Sequence, residues 1–569
     1  MLRLSYIIVV ILCMIPTIPG IAGVVLSSFS YIPPLGMNSI NWHGYQQLLE
    51  WQGLATSIRL TMTTSLISTL LAGIASFSIL LTCWKSRWWQ RIEVCLSPLL
   101  SIPHVAYAIG FAFLFSPSGL GARILLQLFG IDVNSIGDQS LASLVKDPNG
   151  IGLIAMLTLK EVPFLLLMSI PVLNQLEVDK VTRIGLSLGY KRHQLWWKVL
   201  FVQWLTKMRF PLLAVMAYSV SVVDVALIIG PTNPPTLAVL VWQWFNDPDL
   251  YLLPRASAGA MVLFLVAGVM ILISRGLEGI VTKVWRYWQY SGRNGLVLPG
   301  LSLFGVVFMV SGVMLPLMAL WSVAHRWRFP DLLPSRYSIK FWQYEWSSIL
   351  NTIEQSFTLA LISASVALIL AILAHEYRIK YRWQIPGYLI AVPMLIPQLS
   401  LLFGLQIVTL YVESSAYWLW VCWAHMFFAF PFIYLALDGP WRAYHSGYTR
   451  VALSLGKHPI RVFFSIKLPQ LRSAILFGWA VGASVSLAQY LPTLVLGAGR
   501  ISTLTTEAVA LSSGFDRRVT AIYALWQALL PLTFFAIAMV LSRFSFKYKR
   551  RSVKGVLTNE SVTSKPHHS

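Results

Sequence analysis

The sequence predicts an all-α polytopic membrane protein with about twelve transmembrane helices, arranged as two parallel six-helix repeats. Three observations carry that prediction. Of the 569 residues, 57% are hydrophobic and 11% charged, against roughly 25% charged in soluble domains. Apolar windows of about 20 residues recur along the whole chain, each long enough to cross a hydrocarbon core of roughly 30 Å. The stretch TRIGLSLG, Thr182 to Gly189, returns at an offset of 267 as TRVALSLG, Thr449 to Gly456.

The spans fall at 5–27, 58–82, 94–116, 151–173, 212–230, 256–274, 299–323, 356–374, 386–410, 417–437, 474–491 and 520–541. Runs this long satisfy their own backbone hydrogen bonds as helices, not as the alternating ten-residue strands of a barrel. The first, from Leu4 to beyond Val25, exceeds the 7–15-residue apolar region of a signal peptide and reads as an uncleaved helix. With the N-terminus inside, about 31 of the 43 Lys and Arg fall in the N-terminal stub, alternate loops and tail, as the positive-inside rule expects. The inner clusters are Lys85, Arg87 and Arg91; Lys180 to Arg209; Arg275 to Arg293; Arg378, Lys380 and Arg382; Arg442 to Arg472; and the tail from Arg543. Both termini then lie in the cytoplasm. The net charge of +22 is thereby topological. The tail FKYKRR, Phe546 to Arg551, reads as an anchor on an anionic leaflet ahead of a nucleic-acid arm. Cys13, Cys83, Cys95 and Cys422 have no metal or disulfide spacing, and His567 with His568 makes no metal motif.

Sliding the chain on itself by 267 aligns Arg183 with Arg450, Ser187 with Ser454, Gly230 with Gly497, Thr236 with Thr503 and Asp249 with Asp516. Upstream, Pro163-Phe164 faces Pro431-Phe432, and Ile102-Pro103 faces Ile396-Pro397 at an offset of 294. The jump places an insertion of about 26 residues in the outer loop 117–150 of the first half, where indels break few contacts. An even number of crossings gives both repeats the same orientation, related by an axis along the membrane normal. The division is a first half at 1–274 (core 56–274), an inner linker at 275–298, a second half at 299–541 (core 350–541) and a basic tail at 542–569.

The repeated octet lies in a long inner loop between the fourth and fifth spans of each half, 174–211 in the first and 438–473 in the second. Most connections run about 4–6 residues, so loops of that length have structure or function of their own. After Gly189, Leu195, Trp196 and Val199 stand at helical spacing; after Gly456, Val462, Phe463 and Ile466 take the matching places. Short amphipathic helices with such knobs suit a groove of a partner or the lipid interface. Their duplication around a fixed Gly favours a partner with two equivalent sites.

From Gly456 the sequence continues through nine residues to Ile466-Lys467-Leu468-Pro469. That spacing resembles the loop signature of the permease subunits of ATP-binding-cassette importers, E-A-A-x-x-x-G-x₉-I-x-L-P. The resemblance covers almost the whole chain and implies the type I importer permease fold. Two fused six-helix halves look most like the permeases of thiamine and ferric-ion importers; Ser221–Val239 resembles thiamine-type permeases, and Thr493–Ala508 resembles the corresponding stretch of the thiamine and ferric-ion permeases. It further implies a translocation pathway between the halves, two copies of a cytoplasmic ATPase subunit docked on the loops, a periplasmic substrate-binding protein, and a small cation such as thiamine or ferric iron as cargo. ATP and magnesium would sit on the ATPase, with no cofactor on this chain. The departures are Arg183-Ile184-Gly185 and Arg450-Val451-Ala452 in place of Glu-Ala-Ala, and Phe201-Val202 in place of Leu-Pro in the first copy. An arginine at the acidic position requires an altered partner surface.

No G-x-x-x-x-G-K-[ST] occurs; SLGKHP lacks the upstream Gly and the hydroxyl that would hold magnesium. The chain therefore reads as a non-enzymatic subunit. Lys160 and Glu161 in the fourth span and Asp224 in the fifth are ionisable at membrane depth, where each costs about 2.5–3.5 kcal/mol on insertion scales. Gln489 stands near the position matching Asp224. Either these residues line a pathway for a cation, or Lys160 pairs with Asp224 or Glu161 to lock the helices. His104 and His425 read as hydrogen-bonded packing residues. Pro98, Pro103, Pro393 and Pro397 would kink both third spans. GPTNPPT (Gly230–Thr236) and GAGRIST (Gly497–Thr503) read as outer re-entrant or docking loops, or as turns. An ion-gradient-driven secondary transporter also has internal repeats and buried acids, but has no need of a long twinned inner loop; a scaffold or membrane enzyme has no motif behind it.

Overall fold

The structure is a computed structural model that describes residues 2–133, 143–381, 390, 393–410, 415–514 and 516–560. Residues 134–142 of the insertion loop, Arg382, positions 386–389 and 391–392 of the ninth span, and positions 561–569 of the tail with His567 and His568 lie outside the described residues. Almost everything described is helix. The strands among the described residues are a short antiparallel pair, Ala324–Arg326 with Arg336–Tyr337, between the seventh and eighth spans.

Among the described residues, nine helices are long and apolar enough to cross a membrane, or eleven if each of two bent pairs is one span. The twelfth expected span, the ninth in order, is represented by Gln398–Leu410. Other boundaries differ from expectation. The sixth-span helix, Leu253–Gln289, runs through most of the anticipated linker, and the last helix, Arg517–Glu560, runs on into the tail. Neither 275–289 nor 542–560 contains a proline that would stop the helix.

The third spans are broken rather than kinked. Helix Trp89–Ser101 ends at Ile102-Pro103 and His104–Phe115 begins anew; the equivalent Ile396-Pro397 precedes Gln398–Leu410. The residue before a proline is pushed out of helical geometry, and Ile102 is extended at ψ 119°. The fifth spans break as well, between Arg209–Ser221 and Asp224–Ile229 and between Leu468–Leu487 and Leu491–Gly497.

The duplication is visible in three dimensions. Leu237–Phe245 and Leu504–Ser512, buried helices that come after the outer turns, start and stop at the same offset of 267. Each is held the same way: Leu237 N donates to Thr61 Oγ1 at 2.8 Å, and Leu504 N donates to Ser356 Oγ at 2.8 Å. The first N–H of a helix has no partner within it, and both halves meet the need with a hydroxyl on the second span.

The halves are interlocked through their first spans. Thr17–Ser28 packs on Gln398–Leu410 of the second half, and Gly300–Val323 packs on Leu54–Cys83 and His104–Phe115 of the first. Lipid tails supply no hydrophobic drive between helices, so small residues and close approach do the work. A Cβ on Gly404 would lie 1.5 Å from the Gly20 carbonyl oxygen, and one on Gly23 would lie 2.5 Å from that of Gly404. Gly300 meets the Ser78 carbonyl and Gly110 meets Met314 on the other side.

Gly404→Val should therefore destabilise the protein by about 3 kcal/mol, the upper end of overpacking penalties, because backbone and not a flexible side chain stands in the way. Gly268→Val, with nothing within 4 Å, should stay near the small cost of a surface change. Thermal unfolding midpoints in detergent compare the two.

Candidate functional site: a central cavity and twin loops

The breaks in the third and fifth spans converge on one cavity of about 340 Å³ between the halves. Its wall is built from equivalent positions: Ile102 and Ile396, Phe164 and Phe432, Val223 and Tyr490, Asp224 and Leu491. Lys160, Glu161, Asp224 and Gln489, the four polar candidates, all line it.

The expected lock between Lys160 and an acid is not what forms. Pro103 has no N–H, so the Leu99 carbonyl four residues earlier loses its helical donor. Lys160 Nζ supplies one, at 3.0 Å from Leu99 O and 3.4 Å from Leu100 O. The ammonium thus caps a broken helix end, where carbonyls carry partial negative charge. Glu161 is engaged separately, its Oε1 3.0 Å from His104 Nε2. His104 also sits 4.6 Å, centroid to centroid, from Tyr218. Gln489 accepts from Gln398 Nε2 at 2.8 Å. Asp224, half-buried at the start of Asp224–Ile229, has no ion pair among the described residues. Its carboxyl group lies on the cavity wall. His425 is a packing residue, held between Ser486 Oγ at 2.8 Å and Thr493 Oγ1 at 2.9 Å.

On the basic face, the two long loops repeat element by element. Val178–Ser187 and Gly447–Ser454 carry the octets, Arg192–Leu195 and Pro459–Val462 come next, and each runs into a π-helical turn, Trp196–Leu200 and Phe463–Lys467. The fixed glycines end the octet helices in the left-handed region, at φ 81° for Gly189 and 74° for Gly456. In both, the next N–H returns to the helix: Tyr190 N to Gly185 O at 3.0 Å and Lys457 N to Ala452 O at 3.2 Å. This is the glycine-terminated helix end that only a residue without Cβ adopts at low cost.

The knobs point elsewhere than expected. Trp196 is fully buried, Leu195 and Val462 are buried too, and Val199, Phe463 and Ile466 are half-buried. Trp196 and Trp197 enter an aromatic cluster with Phe77, Phe201 and Trp285. Of the candidates, Arg183, Gly189, Arg450, Gly456 and Pro469 remain exposed. The outward apolar surface belongs to the octets themselves: Ile184 56%, Leu186 52% and Leu188 60% exposed, against Val451 60%, Leu453 40% and Leu455 73%. The pairs are again 267 apart. Sequence reasoning misses them, although apolar residues in the most repeated stretch are the available signal.

The loops are anchored differently. The first is bound by the end of the sixth-span helix and the segment beyond it: Trp285 Nε1 donates to Trp197 O at 2.8 Å, Trp197 Nε1 to Leu296 O at 2.8 Å, and Arg293 to Leu188 O at 2.9 Å. The second is held by Lys467, which pairs with Glu376, itself accepting from Trp441 Nε1 at 2.9 Å.

Two interlocked repeats around a partly polar cavity, with twin structured loops on one face, are the architecture of a membrane permease. The chain belongs to the permeases of ABC transporters: it is 32% identical over 513 residues to the inner membrane ABC transporter permease protein YnjC of Escherichia coli (strain K12), covering 87% of this chain and 91% of that one. A shorter similarity, 24% over 154 residues, joins it to the putrescine transport system permease protein PotI of the same strain, covering 25% of this chain and 53% of PotI. No family model matches the chain.

Lys160→Met removes the donor that Leu99 O depends on. It should lower stability by about 1–3 kcal/mol, the cost of a buried acceptor left without a partner. Glu161→Gln, which keeps an acceptor for His104, should cost less; thermal unfolding of the purified protein compares them.

Proposed function

We propose that this chain is the translocation subunit of an importer, with cargo passing through the central cavity and the twin loops coupling it to two copies of a separate ATPase subunit. The observation that carries the reading is the octet, repeated in register, ended by the same left-handed glycine and exposed in both halves. In this arrangement the basic face is cytoplasmic and both termini lie there. The outer face receives a periplasmic binding protein, and ATP with magnesium belongs to the partner, since this chain has no phosphate-binding loop.

The proposed cargo is a small cation. Asp224 supports it, as the one acid on the cavity wall without an ion pair among the described residues. Lys160 does not oppose it, since its ammonium is committed to the carbonyls of Leu99 and Leu100. Thiamine or ferric iron is the cargo that the sequence resemblance suggests. PotI, by its name, belongs to a putrescine transport system.

Purification of the tagged chain in mild detergent should bring down an ATPase at two copies per chain and a periplasmic protein whose bound molecule names the cargo. A chain that purifies alone and transports in vesicles without ATP would instead be an ion-gradient-driven secondary transporter. Gly189→Val and Gly456→Val each force a β-branched residue into the left-handed region, at about 1–2 kcal/mol or more. Both should abolish uptake while membrane insertion stays normal. Asp224→Asn keeps the shape and removes the charge; uptake of the cation should fall about tenfold, equivalent to roughly 1.4 kcal/mol.

A further inference from the structure

The octets have kept the wrong residues for a surface that nothing reads. Thr, Arg, Leu, Ser, Leu and Gly recur at matching places in Thr182–Gly189 and Thr449–Gly456. In the stretches immediately after them, YKRHQLWWKVLF and KHPIRVFFSIKL, no position is identical, although those residues include the buried Leu195, Trp196 and Val462. Exposed positions of a duplication drift sooner than packed ones unless a partner constrains them. A lipid surface constrains composition and amphipathic pattern, not identity at each position. The two octets are therefore read by a protein, and by the same surface twice.

The charge of that surface is set by the surroundings of the octets. Arg183 and Arg450 are both exposed, and neither has an ion pair among the described residues. Asp179, one turn before Arg183, is held by Lys85, and Glu177 by Lys180. Between Asp438 and Glu507 the second half contains no acidic residue at all, but it carries Arg442, Arg450, Lys457, Arg461, Lys467 and Arg472. Each octet thus offers a guanidinium without an ion pair beside three exposed aliphatic side chains, in basic surroundings. Complementary potential fixes which partner docks and in which register.

We propose that each ATPase subunit takes an octet in an apolar groove rimmed by carboxylates, with one Asp or Glu placed against Arg183 in one copy and the same residue against Arg450 in the other. This rests on the importer reading and adds the chemistry of the partner face. An arginine fork matches a carboxylate through two parallel hydrogen bonds, and the three aliphatic side chains fill the groove floor.

The test places a photo-crosslinking amino acid at Leu186 or at Leu453 in the full chain, in native membranes, and identifies the adducts by mass spectrometry. The expected result is one peptide of one nucleotide-binding protein from both positions, with an Asp or Glu close to the crosslinked residue. Arg183→Glu and Arg450→Glu should then each lower transport-coupled ATP hydrolysis about tenfold. Changing the partner's carboxylate to arginine should restore it, and Arg183→Lys should retain more activity than Arg183→Glu. Because both arginines are exposed, thermal unfolding of the variants should match the parent. A crosslinked ATPase peptide without a carboxylate, or glutamate variants with unchanged hydrolysis, overturns the charge inference and leaves the importer reading standing. Adducts to phospholipid alone, or to no nucleotide-binding protein, overturn both.

Discussion

Everything distinctive in this molecule derives from the rule that a backbone group in hydrocarbon must find its partner within the protein. Pro103 breaks that rule locally by withholding the N–H that Leu99 O requires, and the remedy comes from another span, in the side chain of Lys160. The break opens wall space for a cavity, and the lysine that repairs it becomes one of the cavity's lining residues. The buried helices Leu237–Phe245 and Leu504–Ser512 obey the same rule, each borrowing a hydroxyl from a neighbouring span. Lys160, Thr61 and Ser356 serve the backbone in this way, while Glu161 and Gln489 are engaged by other side chains; Asp224 lines the cavity without an ion pair among the described residues.

The spans were legible because continuous apolar length is a strong signal, and the repeat because the octets kept their identity at an offset of 267. The charged candidates were legible for the opposite reason, as interruptions in apolar runs. Their partners were not. His104 lies 57 residues from Glu161 and Leu99 lies 61 from Lys160, and nothing in local sequence announces such a meeting. The direction of the loop knobs was equally hidden. An apolar stripe at helical spacing faces whatever apolar surface is nearest, and for Trp196 that is Phe77 and its neighbours within the same half. The π-helical turns at Trp196–Leu200 and Phe463–Lys467 add to this, since an extra residue per turn shifts the face that periodicity assigns.

The two halves agree in backbone more closely than in side chains. Loop helices, π-helical turns and buried outer helices keep their register, while the anchors beneath the loops differ: Trp285, Arg293 and Leu296 on one side, Glu376 and Trp441 on the other. Such a pattern belongs to a scaffold that must present one outward face twice, with freedom over how each copy is propped from within. The cavity shows the complementary behaviour. Equivalent positions line it, alike at Ile102 and Ile396 and at Phe164 and Phe432 but unlike at Asp224 and Leu491 and at Val223 and Tyr490, so its polarity is lopsided.

The crossed first spans have a geometric corollary. Where Gly23 and Gly20 meet Gly404, main chain comes against main chain, whereas on the opposite flank Gly300 meets the Ser78 carbonyl and the Thr82 hydroxyl and Gly110 meets the Met314 side chain. The Gly23–Gly404 contact leaves no room for a side chain, and the Gly110 contact is filled by one. At Gly404 even a single added methyl group would have nowhere to go, so the spacing of the two halves on that flank is set by bare peptide planes.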